Sequence, residues 1–433
     1  MSLLDSDTQL NQRSYYEASA TRGEDHPPLD SDVRTDVVIV GGGLAGLSAA
    51  MDLADRGYSV VVLEADRVGG GASGRNGGQA LVGFASGQEE LETQLGATAA
   101  KQAWDLSVEA VALLEQRVQT HGIDCEWTRG ALTVATTPRK RQHLKAEFDQ
   151  LTQVYGLDAQ WVEGDLSPYI GSGHYLAGML EYTSGHLHPL KYTLGLADVA
   201  KAKGVRIHEH SPVLKMSPGD PVQVHTARAT VTASFALLAG NCTLGAWAPQ
   251  LAPQLSARIM PVGTYVMATP PLDQALAETL IPSQAAVCDN NFVLDYFRMS
   301  ADHRMLFGGR VSYTTMTPPA LRVLMQKRMA TIFPELKGVS AEYLWGGFVD
   351  ISMNRAPDFG RVASHVYYTQ GFSGHGLALT GMAGRLVAEA IDGHAQRFDV
   401  LARLKHTRFP GGARWRTPIL ALGMLYHRMR DVL

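Results

Sequence analysis

The sequence predicts an α/β protein built on a parallel sheet, and three observations carry that prediction. Val37-Val38-Ile39-Val40 is an uninterrupted β-branched run, the pattern of a strand buried on both faces. Glycines at 41, 43 and 46 follow at once and lead into residues 47–56, whose apolar positions recur at helical spacing. A second buried run at 59–63 closes a βαβ unit, which is parallel by construction.

The later elements follow from local patterning. Trp104, Val108, Val111, Leu114 and Val118 form one helical stripe that Gly122 ends. Residues 131–135 read as a strand and 139–155 as a charged surface helix. Pro189 marks a helix start, and the helix runs through 191–203 to Gly204. Residues 205–210, 222–226 and 235–238 read as strands, and 255–350 mixes strands with helices. Glycine returns over 371–384, ahead of a helix at 386–391. Two glycine-rich motifs so far apart imply one domain assembled from segments near both ends, with another inserted. The expected division gives 35–100, 191–250 and 346–405 to the first domain. Residues 101–190 and 251–345 form an inserted α+β domain on a mixed sheet, with an arm at 1–34 and a helical tail at 406–433.

Composition excludes several classes. The 433 residues are 45% hydrophobic and 18% charged, enough for a substantial core. A net charge of −4 argues against a nucleic-acid binder held by bulk positive charge. Cys125, Cys242 and Cys288 form no CxxC pair, so a disulfide framework or zinc cluster is not expected and a reducing compartment is. The N-terminal residues lack the apolar core of a secretion signal, and no run approaches the ~20 apolar residues that span a bilayer. The expectation is a cytoplasmic protein.

The first glycine cluster has a chemical reading. In Gly41-x-Gly43-Leu44-Ala45-Gly46 the first glycine permits a tight turn and the second lets backbone approach a pyrophosphate. The third allows close helix–strand packing, and the helix N-terminus faces the phosphates. Glu64 ends the second strand, where a carboxylate accepts ribose hydroxyls. This is a Rossmann-like dinucleotide site. Residues 69–79 hold six glycines in eleven residues, a loop that cannot pack a core but can present N–H groups to phosphates and a flat ring. A nicotinamide site does not need that second loop. A flavin does, and the expected cofactor is FAD.

At these residues the sequence resembles the glycine, sarcosine and D-amino-acid oxidase superfamily of FAD enzymes. Ala72-Ser73-Gly74-Arg75-Asn76-Gly77-Gly78-Gln79 is similar in particular to the gamma-glutamylputrescine oxidase branch. Tyr15-Tyr16 with His26-Pro27-Pro28 resembles that branch's N-terminal arm. Trp345-Gly346-Gly347 through Asn354-Arg355-x-Pro357 resembles the strand pair that returns to the flavin, and Gly371–Gly376 the second flavin loop. The resemblance implies that Gly41, Gly43, Gly46 and Glu64 hold the ADP half, and that Ala72, Ser73, Asn76, Gly77, Gly78 and Gln79 line the flavin. It implies that Val213 pairs the adenine through its backbone and that Ala239-Gly240 passes under the pyrophosphate. Gly374, His375, Gly376 and Leu377 would contact the pyrimidine end, where a helix N-terminus favours the negative charge that reduction brings. Relatives with a covalent flavin carry a cysteine shortly before the proline at the position of Pro357. Residues 350–353 here have none, so the FAD is expected to be non-covalent.

The resemblance implies an amine oxidase or dehydrogenase: hydride passes from the substrate C–N carbon to flavin N5, the imine hydrolyses, and oxygen or a quinone takes the electrons. His375, Tyr265, Tyr296, Arg298 and Arg310 are the candidate catalytic or substrate-contacting residues; the alternatives are a core histidine bonded to backbone and ordinary strand packing. Sarcosine-type enzymes hold the substrate carboxylate with a basic residue three positions after the motif histidine. Here that residue is Ala378, and residues 80–84 lack the second arginine. An α-carboxylate buried there unpaired costs several kcal/mol, although Arg298 or Arg310 could supply a clamp from elsewhere. The leading substrate is therefore gamma-glutamylputrescine or a related amine. The alternatives are an oxidase of L-pipecolate or sarcosine, a non-catalytic flavin-binding subunit, and a monooxygenase, against which a single dinucleotide fingerprint argues. His186 and His188 lack accompanying metal ligands, no GxSxG elbow is present, and no metal is expected. At the C-terminus, arginines bracket an apolar stretch at 418–426. It reads either as a helix docked on the protein's own core or as an interfacial helix in peripheral contact with the inner face of a membrane.

Overall fold

The computed structural model describes residues 3–11, 14–291, 293–312 and 317–410. Two sheets organise them. In the first, Val33–Val40 lies between Val60–Leu63 and Thr230–Leu238, with Arg206–His208 beyond Val60–Leu63. Val366–Gln370 runs beside Thr230–Leu238, and all these neighbours are parallel. Asp358–Ala363 adds an antiparallel edge, and the hairpin Lys215–Ser217/Val222–His225 joins Thr230–Leu238. Val37, Val38 and Ile39 are fully buried, as a two-faced strand requires.

The helix Leu44–Asp55 follows the first strand and packs against Leu379–Ile391. Gly384 makes that contact close: a Cβ there would lie 2.5 Å from the Ala49 nitrogen. Ala97–His121 ends at Gly122, which takes the left-handed conformation that suits glycine. Ala103, Ala110, Val111 and Leu114 of this helix join the core beneath the first sheet. The sequence reading groups that segment with the inserted domain; its apolar stripe shows that one face is buried, not against what.

The second sheet is mixed. Its order is Tyr343–Ser352, Ile259–Ala268, Met305–Ser312, Tyr296–Met299, Ala286–Asp289, Thr128–Ala135, Ala177–His186 and Gln79–Ala80, with Ala159–Glu163 also on Ala177–His186. Only Ala286–Asp289 and Thr128–Ala135 run parallel. The last short strand leads directly out of the glycine-rich loop, so that loop bridges the two sheets. Tyr16, Leu190, Val266, Leu306 and Trp345 fill the seam between them.

The arm is more ordered than its pattern suggests. Leu3–Asn11 and Tyr15–Ser19 are helical, the second capped by Ser14 Oγ, which accepts the Tyr16 N–H at 3.2 Å. Leu10 packs over Gly346 on the edge strand Tyr343–Ser352. The helix thus covers a strand edge that would otherwise be open to pairing.

Candidate active site

Three glycines bring strand, helix and loops into contact. Gly41 has φ +117°, and a Cβ there would sit 2.6 Å from the Ala239 carbonyl oxygen. A Cβ on Gly46 would lie 2.0 Å from the Gly41 oxygen, and one on Gly43 2.7 Å from Ser73 Oγ. Ser73 Oγ accepts the Leu44 N–H at 3.0 Å, so the second glycine loop meets the helix N-terminus directly, with Ala45 in its first turn. The Glu64 carboxylate accepts the Gly42 N–H at 2.7 Å and the Asp66 N–H at 3.0 Å. Burial pushes its pKa up while those backbone bonds pull it down. Ala239 donates its N–H to the Val40 carbonyl at 2.8 Å, and Gly240 caps the turn at Asn241. Val213 makes no backbone hydrogen bond among the described residues, which leaves its N–H and C=O to a ligand. The cradle fits a dinucleotide: side chains are excluded where phosphates pass, and acceptors stand where ribose hydroxyls fall.

The second loop is pinned from within and from below. Asn76 Nδ2 donates to the Ala72 and Ser73 carbonyls at 3.0 Å each, and its Oδ1 accepts the Gly78 N–H at 2.8 Å. Gly78, at φ +77°, accepts the Leu187 N–H at 2.8 Å. Gln79 Nε2 donates to the Val287 carbonyl at 3.2 Å. Arg298, 2% exposed, donates to the carbonyls of Gly77 (2.9 Å), Leu187 (2.8 Å) and Met299 (3.2 Å), and to the Tyr16 hydroxyl (3.2 Å). Four of its five donors are thus engaged, three on backbone carbonyls and one on a hydroxyl, which holds the guanidinium in place. The Tyr296 ring lies against Gly77 and Gly308; Cβ atoms there would approach its Cε2 to 2.7 and 2.0 Å. No partner for its hydroxyl occurs among the described residues, and burial raises its pKa.

The third loop carries His375, whose Nε2 donates to the Val82 carbonyl at 3.0 Å. Burial lowers the imidazole pKa, so the ring is neutral. Gly374 has φ +86°, Gly376 packs on Phe372, and Leu377 and Ala378 are buried just before the helix Leu379–Ile391. Asp350 accepts the Gly371 N–H beneath this loop.

Several other candidates lie elsewhere. Tyr265 is 1% exposed, beneath Gly346 in the outer core of the second sheet, with Ser312 and Thr317 beside its hydroxyl. Arg310 lies on Met305–Ser312, but its side chain is outside the described residues. His186 bonds the Gln284 carbonyl at 2.9 Å, whereas His188 accepts the Lys191 N–H at 3.2 Å as a helix cap. Burial pushes both imidazoles down to about 3, and no group of metal ligands occurs among the described residues. The C-terminal stretch 418–426 lies outside the described residues; among these, no helix is long and apolar enough to cross a membrane.

Sequence reasoning assigned no role to Arg75 or Trp345. Arg75 forms a buried pair with Asp7 of the arm at 2.9 Å, and Trp345 Nε1 donates to the Arg75 carbonyl at 2.9 Å. An arginine inside a glycine-rich loop was the available signal, but its acid comes from a distant helix.

Two buried acids give a pH prediction. Burial lifts Asp350 and Asp289 from 3.8 to about 7, with Asp295 adding to the rise at Asp289. Between those values the folded chain holds protons that the unfolded chain has lost, so these groups make stability fall as pH rises through that window. The unfolding free energy of Asp350→Asn, from urea titrations, is expected to decline less than that of the parent, by about 2–4 kcal/mol across the window. An identical decline in both proteins would contradict the assignment.

Comparison with known proteins agrees with this geometry. The family described as DAO, FAD dependent oxidoreductase, matches residues 36–390. A probable oxidoreductase OrdL of Haemophilus influenzae is 38% identical over 427 residues, 98% of each chain. The gamma-glutamylputrescine oxidoreductase of Escherichia coli is 38% identical over 419 residues, 96% of this chain and 98% of that one. Glycine oxidase from Bacillus cereus shares the fold, with a TM-score of 0.69, 22% identity, and coverage of 84% of this chain and 97% of the other. The chain belongs to the DAO family of FAD-dependent oxidoreductases.

Proposed function

We propose that this enzyme oxidises the C–N bond of an amine whose carboxylate, if any, is remote from the reacting carbon, with gamma-glutamylputrescine as the leading substrate, using a non-covalent FAD. The observation that supports the substrate reading is Ala378, which stands where sarcosine-type enzymes carry a basic residue. Ala378 is buried and apolar, and Arg298 is committed to three backbone carbonyls. An α-carboxylate placed between them would be desolvated without a partner. The E. coli relative named for gamma-glutamylputrescine, alike along nearly the whole chain, supports the same choice. Residues 350–353 offer no cysteine for a flavin bond.

When bound, FAD supplies the hydride acceptor at N5. The chain's own residues bind, orient and dry the site. The Gly43 and Ala45 N–H groups, left open where Gly42 bonds Glu64 and Leu44 bonds Ser73, would face the pyrophosphate, Glu64 would accept the ribose hydroxyls, and Val213 would meet the adenine through its backbone. Asn76 and Arg298 fix the Gly77-Gly78 backbone on which the ring would rest, making Arg298 a positioning residue. Neutral His375 ties the third loop to Val82 and takes no proton. Tyr296 presents a free hydroxyl beside Gly77 to orient the amine, and Trp345 and Tyr16 keep water from the seam. Oxygen or a quinone then takes the electrons.

The test is product analysis. Acid precipitation is expected to leave a colourless pellet and FAD in the supernatant. Turnover of gamma-glutamylputrescine is expected to release ammonia and an aldehyde in equal amounts. Colour retained in the pellet rejects the non-covalent cofactor; no ammonia from any gamma-glutamyl amine rejects the substrate class.

A further inference from the structure

We propose that Asp350 is a positioning residue that couples a proton to the electrons arriving at the flavin, acting through the turn at residues 371–374. The inference rests on the reading above that Gly374 to Leu377 lie at the pyrimidine edge of the ring.

The geometry begins with an unusual turn. Gly371, Ser373 and Gly374 have φ of +75°, +55° and +86°. For Ser373 that region costs on the order of 1 kcal/mol or more, so the surroundings must impose it. They do so from one point. The Asp350 carboxylate accepts the Gly371 N–H, and its backbone carbonyl accepts the Ser373 N–H at 3.0 Å. Ser373 Oγ accepts the Ser352 N–H at 3.2 Å and donates to the Gly371 carbonyl at 3.1 Å.

This carboxylate is 4% exposed, and no cation pairs with it among the described residues. Asp358 repels it and is itself held by Arg258 at 3.4 Å and the Tyr368 hydroxyl at 2.9 Å, with His406 at 4.0 Å. Across the strand pair stands Pro261, which is uncharged, and the turn itself contributes only neutral His375. Burial and Asp358 together lift the group to about 7. A carboxyl so placed is poised to change state when a further negative charge appears beyond the turn.

Reduction brings that charge. Two electrons from the reductant reach the ring, which takes one proton and keeps a net negative charge at its pyrimidine edge. Like charges disfavour each other, so a second proton passes from solvent to a carboxylate oxygen of Asp350, forming an O–H bond. By reciprocity, an ionised Asp350 makes the ring harder to reduce.

The test uses the FAD holoenzyme and dithionite with a mediator dye, so that it does not depend on the amine. The midpoint potential is followed over about one pH unit either side of neutrality. From neutrality upward, where Asp350 is ionised before reduction, the parent is expected to approach two protons per two electrons and Asp350→Asn only one, with a higher potential on that alkaline side. A role confined to holding the turn would change stability and leave the proton count alone. The reduced-minus-oxidised infrared spectrum of the parent, which needs no variant, is expected to show a new protonated-carboxyl band that shifts in heavy water. Equal slopes in the two proteins, a parent slope of one proton, or no carboxyl band would overturn the proposal. Failure to bleach with any amine would instead overturn the substrate reading and leave this result standing.

Discussion

Gly46→Ala is expected to emerge without FAD and with a sharply lowered unfolding midpoint. Its new methyl would fall 2.0 Å from the Gly41 carbonyl oxygen and 3.1 Å from Ile39 Cγ2. The first of these is backbone, so no side chain can swing away. Helix and strand must separate by more than an ångström, and the N–H groups aimed at the pyrophosphate move with the helix. Overpacking of this kind costs about 1–3 kcal/mol, occasionally more, before the lost cofactor binding is added. Gly57→Ala is the control. Gly57 has φ +85° but open space around it, so only the backbone strain of about 1 kcal/mol applies and the flavin stays. A yellow Gly46→Ala protein with the parent's midpoint would contradict the assignment of the cradle.

Arg298→Met should have an effect of similar size for a different reason. The carbonyls of Gly77, Leu187 and Met299 would lose their donor, and all three groups sit at the junction of the second loop and the second sheet. Leaving a buried carbonyl without its donor costs about 1–3 kcal/mol, and three lose theirs at once. Flavin occupancy should fall with stability, because Gly77 belongs to the loop that holds the ring. Lysine should not rescue, since one ammonium cannot replace a planar fork spanning several acceptors. If the variant instead kept its FAD and its midpoint but lost turnover, Arg298 would be a substrate contact after all.

How much of this was legible in the sequence depends on the range of the forces involved. The glycine turn was legible because a tight βαβ unit imposes local demands: glycine where a Cβ meets backbone and a β-branched run before it. The strands and helices of the first sheet follow from periodicity for the same reason. Arg298 was singled out by residue type, but its direction depends on Leu187 and Gly77, distant in sequence. Tyr265 looked like a candidate contact by its place in the inserted strands, yet the register of Ile259–Ala268 turns it to the outer face with Met267. Asp350 carried no signal in the strand pattern; its meaning comes from the turn above it. The arm helix was unreadable because nine residues of weak amphipathicity gain order only by docking on a strand edge and on Arg75.

The most direct test of the account is anaerobic mixing of the FAD holoenzyme with gamma-glutamylputrescine, and separately with sarcosine and L-pipecolate. The account predicts that the gamma-glutamyl amine bleaches the yellow flavin absorbance fully and with saturation, while the two α-carboxylate substrates bleach it slowly and without saturation. Saturating reduction by sarcosine or pipecolate with none by the gamma-glutamyl amine would contradict it.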